Sequence, residues 1–192
     1  MAELVKIQAQ KASEILTHFE LSEEAAEFAD QGNLTPADFV RQLLQANLYY
    51  DAVKFLAHAL PKRESIWWAC LAVKKTLAED APAPQQAALN AAEQWAIQPS
   101  EEKRQLAKAW SEKTQNKSAA SWAATAAFWS GGSMAKPGEP EMVAPPYLYA
   151  HAVSGAISMA AFSPDPDNAA EQFKLFIRQG LDLAAGGRGD VA

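Results

Sequence analysis

Between residues 62 and 80 the apolar residues Ile66, Cys70, Val73 and Leu77 fall at i, i+4, i+7 and i+11, one face of a helix. Trp67 and Leu71 widen that face, and Lys74 and Lys75 stand near its C-terminal end, where cations suit the helix dipole. The same period appears in Phe39, Val40, Leu43, Leu44 and Leu48, opened by Thr35-Pro36 as N-cap and first helical residue. Val53, Leu56 and Leu60 form the next run, which Pro61 ends; residues 47–50 are either a break or a turn of one longer helix. Before these, the first thirty residues are weakly patterned, and only Ser22-Glu23-Glu24 opens a short helix, which stops near Gly32-Asn33.

Further helices are predicted around Leu89 and Trp95, then after Pro99-Ser100-Glu101-Glu102 with Leu106, Ala107 and Trp110 inward. Another spans 118–130 with Trp122, Ala126 and Trp129 on one face, another 147–162, and a last one carries Phe173, Phe176, Ile177, Leu181 and Ala184. Residues 131–146, with a glycine pair and four prolines, are predicted to hold no regular structure. The tryptophans follow no fixed period, so a closed bundle is expected rather than a solenoid. The expectation is a single all-α domain of about eight or nine packed helices. Residues 1–34 form an N-terminal helical arm, 35–185 the helical core domain and 186–192 a flexible tail.

Composition strengthens the helical reading. Alanine fills 41 of 192 positions, against 18 for Val, Ile and Thr together, a balance that favours helix over strand. Net charge is −6, which weighs against a nucleic-acid or anionic-membrane partner. A single cysteine, Cys70, fits a reducing compartment, and the start of the chain lacks the pattern of a signal peptide. The most apolar stretches, 119–129 and 147–162, fall short of the roughly 20 residues that a membrane span needs. A cytoplasmic protein without membrane insertion is expected.

Chemical motifs are sparse. Ser133-Met134-Ala135-Lys136 has the Ser-x-x-Lys spacing of acyl enzymes, but Pro137-Gly138 follows at once and disfavours the helix that would bring lysine to serine. Gly131-Gly132 follows a helix rather than preceding one, so it reads as a C-cap and not a phosphate cradle. His18, His58 and His151 are isolated, without ligand spacing, and no metal or cofactor is expected. Adjacent Trp67 and Trp68 point about 100° apart on a helix, so both cannot face one core. The candidate interaction surface comprises Arg63, Trp67, Trp68, Trp129, Ser130, Ser133, Tyr147 and Tyr149. The 131–146 loop is expected to be ordered and to edge the main binding surface, because long loops are commonly functional and its prolines lower the entropy cost of ordering it.

The segments Leu60-Pro61-Lys62-Arg63-Glu64-Ser65-Ile66-Trp67-Trp68-Ala69-Cys70 and Ala127-Phe128-Trp129-Ser130-Gly131-Gly132-Ser133 resemble a family of all-helical bacterial cytoplasmic proteins without an established activity. The resemblance carries over no catalytic residue. It implies an association with type VI secretion, and with it a non-enzymatic adaptor or chaperone whose partner is a secretion-system component or effector. The alternative is a small-ligand binder or an enzyme with its site under the 131–146 loop. A closed pocket ringed by Ser130, Ser133, Lys136 and Tyr149 would favour that alternative, and an open apolar groove the first reading.

Overall fold

Thr35 extends its backbone and accepts a hydrogen bond from the Asp38 amide at 3.2 Å, and with Pro36 behind it starts a helix as the sequence suggests. Ser100 does the same for Lys103, and Ser118 and Ser121 cap each other reciprocally. In the computed structural model, residues 3–29, 32–135 and 138–191 are described. Among them the elements are α1 (Ala12–Leu16), α2 (Glu23–Ala29), α3 (Pro36–Gln45), α4 (Tyr49–Ala59), α5 (Lys62–Thr76), α6 (Ala83–Ile97), α7 (Glu101–Lys113), α8 (Ala119–Phe128), α9 (Leu148–Ala161) and α10 (Ala169–Ala184). The protein is a single all-α domain, and the described residues contain no strand.

The helix beyond the expected number is α1, too short to display a period. Its start is held by Glu14, whose carboxylate accepts from the amides of Gln10 and Lys11. The break at residues 47–50 is real, since Asn47 takes φ +59° between α3 and α4. Helix α9 runs through the middle, packed by α8, α5, α4 and α10. Small residues are buried on both helices, Ala120, Ala123, Ala124 and Ala127 on α8 and Ala152 and Ala156 on α9, and Trp122 of α8 lies over Gly155 of α9. Small faces let the helices approach closely, and Trp68, Phe39, Phe55 and Phe176 fill the wider gaps.

Residues of the N-terminal segment join this same core, with Ile7 and Ile15 buried and the Lys6 amide bonded to Ala184 O at 2.8 Å. Asp51, at the start of α4, accepts from both the amide and hydroxyl of Ser22 at 2.9 Å and so ties α2 to α4. Beyond α10 the amides of Gly187 and Gly189 bond back to Asp182, which holds the segment expected to be a flexible tail. No helix among the described residues is long and apolar enough to cross a membrane.

The described residues of the 131–146 connection form no helix or strand, as expected; Ser133 and Val143 make an isolated β-bridge, and the Met134 amide reaches Met142 O at 2.7 Å. Arg104 pins its first turn. The guanidinium donates to Phe128 O and Ser133 O, both at 2.9 Å, and grips the Glu101 carboxylate with two bonds of 2.7 Å. Of the three α7 residues predicted to face inward, Ala107 is buried and Trp110 packs against the core. Arg104, Ala107 and Ser111 are buried along one stripe, whereas Leu106 is 41% exposed.

Candidate functional site

Three separated stretches converge at one end of the bundle: residues 6–18, the α4–α5 junction, and the flanks of the 131–146 connection. Between them lies a hollow of about 830 Å³, whose walls include Trp129, Ser130, Tyr147 and Tyr149. Beside it is a second hollow of about 390 Å³, lined by Arg63 and Trp67 and by residues that follow α10. Lys6 belongs to both and reaches Glu64 at 3.5 Å across the ridge between them. Six of the eight nominated residues thus share one face.

The other two do not. Trp68 is fully buried, its indole N–H donating to Phe176 O at 2.6 Å, so it belongs to the core and to no surface. Helical geometry sends its neighbour Trp67 the other way, half-buried in the smaller hollow. Ser133 lies away from the lining, and its hydroxyl oxygen accepts from the amides of Ala135 and Met142. A serine so placed in a bridge is not at a helix N-terminus, where Ser-x-x-Lys chemistry requires it. Lys136 lies outside the described residues.

Two polar side chains of the larger hollow, those of Lys62 and Ser130, are tied to backbone carbonyls. Lys62 Nζ donates to Ser130 O at 2.8 Å and stands over the Tyr149 ring, 5.7 Å from its centre. The Ser130 hydroxyl donates to Ala127 O. Burial pushes the Tyr149 phenol up to about 12. In the core of α5, burial likewise raises the Cys70 thiol far above its usual range, as suits an inert packing residue.

The histidines, separate in sequence, meet here. Tyr147, at φ +62° before α9, stacks on His18 at 3.8 Å between ring centres and lies 6.0 Å from His58. Phe19 and the edge of His151 pack the same His58 ring at 4.4 and 4.8 Å. His58 Nδ1 lies 2.7 Å from Lys54 O, and since a carbonyl only accepts, this nitrogen carries the proton and Nε2 the lone pair. That Nε2 is buried and has no partner. The cluster has no local signature, because His18, just after α1, His58 on α4 and His151 on α9 are far apart along the chain. No group of three or more His, Cys, Asp or Glu side chains among the described residues could hold a metal ion.

Burial holds His58 down to about 4 from an ordinary value near 6.5, with neighbouring His151, Lys54 and His18 adding to it against the Lys54 carbonyl. His151 is lowered too, chiefly by burial. Between pH 6.5 and pH 4 the unfolded chain therefore takes up protons that the folded one refuses, and stability falls as pH falls through that window. Denaturant unfolding at both ends of the window should show this loss, and His58→Leu should make the profile flatter. An equally steep profile in the variant would exclude His58 as its source.

Residues 39–184, from α3 to the end of α10, match the model of a family described as a family of unknown function (DUF6931). The chain belongs to that family. No curated protein and no solved structure matches it. The matched region supplies α4, α5 and the 129–149 side of the two hollows, while Lys6 and His18 come from the segment before it.

Proposed function

We propose that this member of the DUF6931 family is a non-enzymatic protein-interaction module, an adaptor or chaperone, whose partner lies along the two hollows. The observation that carries the reading is their adjacency. Two concavities that share Lys6 make a face longer than either pocket alone, suited to an extended segment of another protein. Its borders expose apolar side chains that the fold leaves uncovered: Val5 (62%), Ile97 (63%) and Val143 (65%). Half-buried Trp67, Trp129 and Tyr147 supply the aromatic anchors on which interfaces commonly depend. The resemblance of the 60–70 and 127–133 segments makes a type VI secretion component or effector the first partner to test.

A photo-crosslinking residue at Val143, and separately at Ile97, tests the proposal in the native bacterium. The same protein should be captured from both positions, and Trp67→Ala should abolish its capture. Capture of nothing, or equal capture from Phe162, outside both hollows, would overturn it. A second reading, a small-ligand binder under the 131–146 loop, draws on the size of the larger hollow, which lies within the range of small-molecule pockets.

A further inference from the structure

Tyr149 is a buried tyrosine whose hydroxyl bonds nothing among the described residues. The residue is 4% exposed, and burial and the Tyr147 phenol raise its pKa with no hydrogen bond acting on it. Two other aromatic donors find acceptors: the Tyr49 hydroxyl donates to Asn47 Oδ1 at 2.6 Å, and the buried Trp68 indole to Phe176 O. A buried donor without an acceptor is costly. Tyr149 lines the larger hollow, and its oxygen, unlike His58 Nε2, is not closed off from solvent, so an acceptor entering the hollow meets it with nothing moved aside.

The rest of the hollow narrows what that acceptor belongs to. Its carboxylate, Glu14, already takes the amides of Gln10 and Lys11, and Ser130 O takes the Lys62 ammonium. Trp129 and Tyr147 add aromatic walls. An incoming helix would engage its carbonyls with its own amides, except in its last turn. An incoming strand needs an edge to pair with, and the Ser133–Val143 bridge is isolated and followed by Pro145 and Pro146, which carry no amide. A polyproline II helix makes no internal hydrogen bonds, so its carbonyls are free, and its rings dock on aromatic walls.

We propose that the larger hollow takes a proline-rich segment of the partner protein as a polyproline II helix. One of its carbonyls accepts from the Tyr149 hydroxyl, and its pyrrolidine rings pack on Trp129 and Tyr147. This rests on the protein-interaction reading, but its test holds no partner protein. A protein captured at Val143 and Ile97, beside a proline peptide that does not bind, would remove the polyproline docking alone.

The full chain, labelled with ¹⁵N, is titrated with a proline decamer and with a glycine-serine decamer of the same length. The proline peptide should give saturable shifts at the amides of residues 129–131 and 147–149 and none around Phe162. It should bind about tenfold more tightly than the glycine-serine peptide, which must first be ordered. Tyr149→Phe deletes only the hydroxyl and should weaken the proline peptide about fivefold, the worth of one hydrogen bond. Shifts that do not saturate, equal binding of the two peptides by the wild type, or undiminished binding by Tyr149→Phe would each overturn the proposal. Comparison of the peptides on the unaltered chain keeps the docking testable even if the variant does not fold.

Discussion

Trp68→Ala should cost about 3–5 kcal/mol of stability, the usual range for deleting a fully buried large ring. The indole is 0% exposed, between α5 and α10, and its N–H serves Phe176 O, a carbonyl inside α10. Truncation removes the packing of the whole ring and the hydrogen bond together. Gly180 completes the seat: a Cβ there would stand 2.8 Å from Cε2 of Trp68, closer than carbon atoms tolerate. Gly180→Ala should therefore also destabilise, by about 1–3 kcal/mol through overpacking, although alanine is the better helix former. The double variant Trp68→Ala/Gly180→Ala should lose less than the two single losses combined, because the added methyl enters space the ring has left. Thermal unfolding would show the first variant with a midpoint lower by about 10 °C. A loss below about 1 kcal/mol for Trp68→Ala, or simple additivity in the double variant, would exclude this packing.

How the Trp67-Trp68 pair divides was legible only in part. The 100° step predicts that one ring faces inward, but it takes Gly180, more than a hundred positions away, to decide which. The α5 stripe was legible because Ile66, Cys70 and Val73 recur at helical spacing and are buried as that spacing implies. The start of α3 was legible because its cap is local chemistry. Helix α1 was not, since five residues leave no period, and its start depends on Glu14 reaching backwards from a position that carries no conventional cap signal.

The candidate site shows the same division. Trp129, Tyr147 and Tyr149 were selected because large aromatic residues flank a long proline-rich connection, and all three line the larger hollow. Lys6, His18 and His58 could not be selected, because their relation is wholly tertiary. The Lys6 amide is fixed by Ala184 at the far end of the chain, and His18 is placed by its stack on Tyr147. Spacing rules treat each histidine by itself, and nothing local marks three isolated imidazoles as neighbours.

Arg104 is the residue whose importance was least visible, and its removal should have the other large effect. In sequence it is an ordinary i+3 partner for Glu101 on a polar helix, a pattern that usually signals a solvated pair worth a few tenths of a kcal/mol. In the fold the arginine side chain is 5% exposed, although Glu101 is 64% exposed. Its weight lies less in the ion pair than in the two carbonyls, Phe128 O and Ser133 O, that it satisfies where the chain leaves α8. Arg104→Met keeps most of the apolar stem and deletes the donors, and should cost about 2–4 kcal/mol. Gly132 lies so close that a Cβ there, at φ +65°, would stand 2.8 Å from Arg104 Nη2, so Gly132→Ala should displace the guanidinium and produce part of the same loss. A pH signature distinguishes the pair from the histidines. The hydrogen bonds from Arg104 hold the Glu101 carboxyl at about 2, below its ordinary 4.5, so its stabilisation is present above pH 4.5 and disappears as pH falls towards 2. Arg104→Met should remove most of that acid-side loss, Gln105 still bonding the Glu101 carboxylate, and leave the His58 loss, between pH 6.5 and pH 4, in place. Urea unfolding of wild type and variant across both windows would decide it. A variant that retains the lower loss, or whose stability differs from wild type by less than about 1 kcal/mol at neutral pH, would show that Arg104 does not pin the connection.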